Sequence, residues 1–286
     1  AKWGFAVVEN SLWRAIPHFL RRLDSTLSES THQSLPLKMS PVSFVSWMGG
    51  DRDGNPNVTS NVTAEVLLLS RWQAATLYMR DINSLIEELS MINSNSYVKE
   101  LSNSSREPYR AVLRDVRLQL KNTIDNIENQ LDGREPIYTN VINNQKDLWD
   151  PIFACYESLQ DCGMQAIANG SIIDLLRCIS CFGTHLVRHD IRQHSERHSR
   201  VLEEICSHLD LGDYSNWSED KKQKFRLEEI VGNRPLIGSD LVLTSESLEV
   251  VKTFELIAKQ PQEALGADVI SMARHPSDIL AVSYTH

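Results

Sequence analysis

Long stretches of helical hydrophobic periodicity, broken only three times by short β-branched segments, constrain this chain more than any other feature. From Val7 to Leu23 the apolar residues Val8, Leu12, Trp13, Ile16, Phe19, Leu20 and Leu23 recur at helical spacing, with Arg21, Arg22 and Asp24 on the other face. Pro17 inside this run predicts a kink or a split. Further helices are predicted over about 62–92, 108–133, 146–162, 172–181 after a Ser171 cap, 196–209, 219–230 and 245–259, with Ser277 capping a last one. The exceptions are Val42–Trp47, His185–Ile191 and Ala267–Met272, which read as strands. Strands this far apart cannot form an antiparallel meander, whereas parallel strands joined by helical crossovers accommodate them. The expectation is a mostly α chain with a few parallel strands near 42–47, 185–191 and 267–272. No internal repeat of fixed period suggests a solenoid. Chemistry in such folds collects in loops at the C-terminal strand ends.

Composition narrows the classes. The 286 residues, 41% hydrophobic and 23% charged, suit a folded core and exclude disorder or collagen. A net charge of −9 argues against a nucleic-acid partner, because neutralising phosphates needs clustered positive charge. Five cysteines, an odd number, fit a reducing compartment better than a secreted disulfide framework, so a cytoplasmic location is expected. The longest apolar runs, such as Val66 to Leu69, fall far short of the roughly 20 residues that span a membrane, and no membrane partner is expected. The opening Ala1-Lys2-Trp3-Gly4-Phe5 has neither an initiator Met nor a signal peptide and reads as a cut edge.

Two loops concentrate chemistry. Gly49-Gly50-Asp51-Arg52-Asp53-Gly54-Asn55-Pro56 follows the first strand and sets three charges on a tight glycine-rich turn. It is either a site loop or a set of charges bracing one another, and its spacing does not make an EF-hand. In Arg188-His189-Asp190-Ile191-Arg192-Gln193 the strand period puts Arg188, Asp190 and Arg192 on one face, a carboxylate between two guanidinium groups. Arginine's planar fork suits carboxylate and phosphate, so the readings are a small dianion site or a brace without a ligand. A third loop, 271–278, carries Arg274, which either reaches an anion or sits solvated on the surface.

His194 and His198 have the spacing of a zinc helix, but the HExxH pattern and a third ligand are missing. Cys178-Ile179-Ser180-Cys181 is a lone pair on an apolar helix end and reads as core. No nucleophile elbow, dinucleotide fingerprint or Walker loop occurs.

Taken together, the loops resemble the phosphoenolpyruvate carboxylase family. The run from Phe44 to Thr59, FVSWMGGDRDGNPNVT, is similar to its long WMGGDRDGNPxVT signature; Leu186 to Gln193 is similar to its LVRxDIRQ segment, and Val269 to Val282 to its VISMAxxPSDxLAV segment. Val7 to Trp13 and Ala154 to Leu159 also match, so the resemblance covers nearly the whole chain.

The resemblance implies a carboxy-lyase that joins bicarbonate to phosphoenolpyruvate, giving oxaloacetate and phosphate with Mg²⁺ or Mn²⁺, an anaplerotic step feeding the tricarboxylic acid cycle. It implies an eight-stranded parallel TIM-type barrel embedded in helices, a cytoplasmic and allosterically regulated homotetramer, and bicarbonate attack on phosphorus to give carboxyphosphate and an enolate. Arg192 takes the family's phosphate-binding position. Trp47, Gly49, Gly50, Asp51, Arg52, Asp53, Arg188, Asp190 and Gln193 take places in the site wall or scaffold. The family's catalytic histidine is expected before residue 1, and its acidic metal ligands, glycine-rich loop and further arginines after residue 286, so residues 1–286 read as an inactive middle fragment of one domain. No catalytic residue and no metal ligand is assigned within the span. His194 departs from the family's glutamate at that position, and Ser283–His286 departs from the hydrophobic helix expected there. The competing readings are a self-contained helical scaffold or interaction module and a small zinc-binding protein.

Overall fold

The computed structural model describes residues 2–55, 57–232, 237–238 and 241–283. The chain packs as two units, Ala1–Phe44 with Leu67–Val187, and Val45–Val66 with Arg188–His286.

The first unit is helical. It contains α1 (Lys2–Val7), a π-helical turn at Val8–Leu12, α2 (Trp13–Thr31), most of α3 (Ser60–Glu88), α4 (Ser96–Leu101), α5 (Pro108–Leu131) and α6 (Gln145–Asp161). The short α7 (Gln165–Ile167), a second π-helical turn and α8 (Ile173–Phe182) follow. Of the two expected outcomes at Pro17 a split does not occur, and α2 runs through it. The Trp13 carbonyl, which a proline four residues on cannot engage, takes a thiol contact from Cys178 at 3.6 Å. Pro108 opens α5 as expected. A capping box of Asn144 and Asp147 opens α6. Ser171 caps nothing, because α8 grows out of the π-helical turn at Ala168–Ile172 with its backbone already helical.

An aromatic cluster centres this unit. Trp13 stacks on Phe182 with ring centroids 4.9 Å apart and meets Tyr78 edge-on, and Phe44 stacks on the same Phe182 at 5.3 Å. Tyr78 donates its hydroxyl proton to the Gly183 carbonyl (2.7 Å), and Trp13 Nε1 donates to Asp81 (2.7 Å). Asn126 accepts from the backbone of Ile137 and Tyr138 and donates to the Tyr138 carbonyl, fixing the segment after α5.

The second unit holds the sheet. β1 (Val45–Ser46), β2 (Arg188–His194) and β3 (Leu265–Ser271) are all parallel in the order β1-β2-β3. All three strands start elsewhere than predicted, β1 at Val45 rather than Val42. Leu186 adopts φ 58° and the Val187 N–H turns back onto the His185 carbonyl, so residues 185–187 form a turn and β2 begins at Arg188. β1 is two residues long because Trp47 already accepts the turn bonds of Gly50 and Asp51. β3 runs two residues earlier at its start than expected and is largely exposed.

The helices of this unit are α9 (Ser195–His208), α10 (Glu219–Val231), α11 (Ser245–Ala258) and α12 (Pro276–Ser283). Ile191 of β2 packs with Val201 and Ile205 of α9 and with Val250, Val251, Phe254 and Ile257 of α11. Ser277 does not cap α12; its N–H and hydroxyl both donate to Glu219, while Asp278 accepts from the N–H groups of Arg274 and His275.

Candidate active site

β2 carries the site because its pairing continues past the end of β1. The Arg192 N–H donates to the Gly50 carbonyl (2.8 Å) and the Arg52 N–H to the Arg192 carbonyl (3.0 Å), with Asp51 bridged to Arg192 as a further parallel pair. The glycine-rich loop is thereby laid along the strand. Gly49 is at φ +73°, and a Cβ on Gly50 would stand 2.0 Å from the Asp190 carbonyl oxygen, so only glycine permits the approach.

The loop's charges do not brace one another. Arg52 is buried and turns inward, donating to the Thr63 hydroxyl (2.7 Å) and more weakly to the Gly50 carbonyl (3.3 Å). Burial lowers its pKa from the ordinary value, while Glu249 pulls it upward. Asp51 accepts the Gly54 N–H. Asp53 is exposed and forms no ion pair among the described residues. Thr59 caps α3 by accepting the Val62 N–H (3.3 Å). Pro56 lies outside the described residues.

Arg192 is held from two directions. Its guanidinium carbon lies 4.7 Å from the centre of the half-exposed Trp47 ring, and its Nη2 is 3.6 Å from Asp190 Oδ2. Its Nε is buried without a hydrogen bond. The predicted carboxylate between two arginines is half realised: Asp190 pairs with Arg192, but Arg188 is exposed and forms no ion pair among the described residues. The other Asp190 oxygen accepts the Ala267 N–H from β3 at 2.9 Å, a contact that spacing along one segment cannot reveal. Gln193 is buried and accepts the His194 N–H.

The histidines serve the backbone and core. His194 Nδ1 accepts the Glu196 N–H and so caps α9. His198 is buried against Phe254, and burial, reinforced by Arg226, lowers its pKa to about 4. Among the described residues no group of three or more His, Cys, Asp or Glu could hold a metal ion. Arg274 is exposed and forms no ion pair among the described residues. Cys178 is buried, and burial raises its pKa well above the ordinary value, which removes it from thiolate chemistry. Arg226, fully buried over the Tyr214 ring with its centre 5.2 Å away, was not signalled by the sequence, which shows only a polar helix there.

The fold and site therefore define a mostly helical segment with a small parallel sheet, in which an arginine stacked on Trp47 and paired with Asp190 stands near the C-terminal end of the central strand. The family model of phosphoenolpyruvate carboxylase matches residues 1–285, and the chain belongs to that family. It is 51% identical over 282 residues to a phosphoenolpyruvate carboxylase of Hahella chejuensis (strain KCTC 2396) and 52% identical over 283 residues to one of Vibrio vulnificus (strain CMCP6). In both comparisons 99% of this chain is aligned, against 32% of the relative. The chain thus spans about a third of the length of the curated relatives it matches. This membership displaces the scaffold-module and zinc-protein readings. No helix among the described residues is long and apolar enough to cross a membrane.

Proposed function

We propose that the full-length protein containing this chain carboxylates phosphoenolpyruvate with bicarbonate, and that Arg192 binds the substrate phosphate. The observation that carries this reading is the Arg192 guanidinium near the end of β2, stacked on Trp47 and paired with Asp190 through Nη2, with a buried Nε that has no hydrogen bond. A preset planar cation of this kind neutralises phosphate charge without reorganising. The glycine-rich loop seats the wall of the site against β2, and Trp47 excludes water from one face of the guanidinium. In this reading the three parallel strands are a slice of a TIM-type barrel, the two units belong to one domain, and the slice is inactive without the remainder.

Bicarbonate as co-substrate, a cytoplasmic location and assembly as a homotetramer belong to the same proposal, on the strength of family membership. So does a divalent metal, Mg²⁺ or Mn²⁺, which stabilises developing oxyanion charge when bound. Its ligands are proposed, on the family resemblance, to lie elsewhere in the full-length protein.

The test is Arg192→Gln in the full-length protein. The expected result is a loss of about 2 kcal/mol in kcat/KM for phosphoenolpyruvate, with weakened inhibition by inorganic phosphate. Wild-type kinetics would remove Arg192 from the site.

A further inference from the structure

We infer that Asp190 is a positioning residue that sets the aim of Arg192, with Gly266 making room for its carboxylate and Gly50 for its backbone carbonyl. This inference rests on the proposed role of Arg192. Asp190 and Arg192 share a face of β2, as alternate residues of a strand do. At Asp190 the pairing with β3 slips: His189 pairs with Leu265 but Ile191 with Asp268, so Gly266 and Ala267 together oppose Asp190. Such a bulge leaves a backbone N–H without a ladder partner, and the Asp190 carboxylate takes that of Ala267 at 2.9 Å.

The carboxylate can reach there only over glycine. A Cβ on Gly266 would stand 2.3 Å from Asp190 Oδ1, while Gly50 closes on the Asp190 carbonyl from the loop after β1. With Oδ1 anchored, Oδ2 is directed at Arg192 Nη2. Trp47 limits the guanidinium on its face and Asp190 limits it at its edge, so the side chain's rotamers are restricted before a ligand arrives. At 3.6 Å the Asp190–Arg192 contact is electrostatic steering rather than a short hydrogen bond. Charge, not shape, is therefore the property that matters.

The full-length enzyme carrying Asp190→Asn tests this, because asparagine keeps an acceptor for the Ala267 N–H and loses the charge. The expected result is a roughly tenfold rise in KM for phosphoenolpyruvate and in the inhibition constant of inorganic phosphate, with kcat changed much less and the unfolding midpoint preserved. Asp190→Ala loses both contacts and lowers the midpoint as well. In an Arg192→Gln background, Asp190→Asn adds nothing further. Wild-type KM in Asp190→Asn beside an impaired Arg192→Gln overturns the positioning role alone, as does full additivity of the two substitutions. An Arg192→Gln enzyme with wild-type kinetics removes the phosphate reading and this inference together.

Discussion

The two units treat buried polar groups differently. In the first unit most are paired within the chain: Tyr109 with Ser158, Arg177 Nη2 with Asp24, and Asn126 with three backbone groups, leaving Arg177 Nη1 and Trp149 Nε1 without a hydrogen bond. In the strand-bearing unit, buried nitrogens of Arg52, Arg192 and His198 and all three of Arg226, with the Tyr214 hydroxyl, lack a hydrogen bond. A core that closes on itself needs no ligand. One that keeps arginine nitrogens unpaired carries an electrostatic cost that only a functional or further contact offsets. The difference fits the proposal above, which puts the candidate site in the second unit.

Trp13→Ala probes the closed core most strongly. The loss of a buried indole stacked on Phe182 and bonded to Asp81 should cost about 4 kcal/mol in denaturant unfolding. A change below about 1 kcal/mol would show that the aromatic cluster does not centre that unit. Gly50→Ala attacks the other side of the comparison. Its methyl would meet the Asp190 carbonyl at 2.0 Å, and about 3 kcal/mol or more of destabilisation is expected, together with a displaced Arg192. An alanine variant of wild-type stability and KM would refute the close approach.

Acid sensitivity should trace to His198. Its folded pKa is lowered to about 4, first by burial and then by the Arg226 charge, with Asp278 opposing. The unfolded chain takes up that proton near pH 6.5, the folded chain only near 4. The contribution is therefore complete above about pH 6.5 and is lost as pH falls towards 4, about 2 kcal/mol between pH 7 and 5. His198→Gln should flatten this slope when denaturant midpoints are compared at the two pH values; an unchanged slope assigns the sensitivity elsewhere. The smallest effect is expected for Arg226→Met. Removing a buried guanidinium without hydrogen bonds should leave stability within about 1 kcal/mol of wild type, or raise it. A loss near 3 kcal/mol would show that the Tyr214 ring and the nearby acidic groups hold the charge well.

Much of the helical architecture was legible because amphipathic runs report their own period, as in α5, which opens at Pro108 as expected. The strands were located but misframed. The turn at Leu186 depends on a left-handed residue that no hydrophobic pattern announces. Caps assigned to Ser171 and Ser277 failed because a π-helical turn and a distant glutamate supplied what those hydroxyls would have given. Of the site, the loop and Arg192 were readable as local motifs. The Trp47 stack and the Ala267 contact were not, since both join residues brought together only by parallel pairing. Arg226 was invisible because solvent exposure of a polar helix face is the default expectation.

β2 ends at His194 and α9 begins at Ser195, with the histidine itself capping the helix. A joint of zero length has no slack. The 14-residue α9 is then a rigid arm about 21 Å long pivoting two residues from Arg192, so that a tilt of ~3° at the joint moves its far end by about 1 Å.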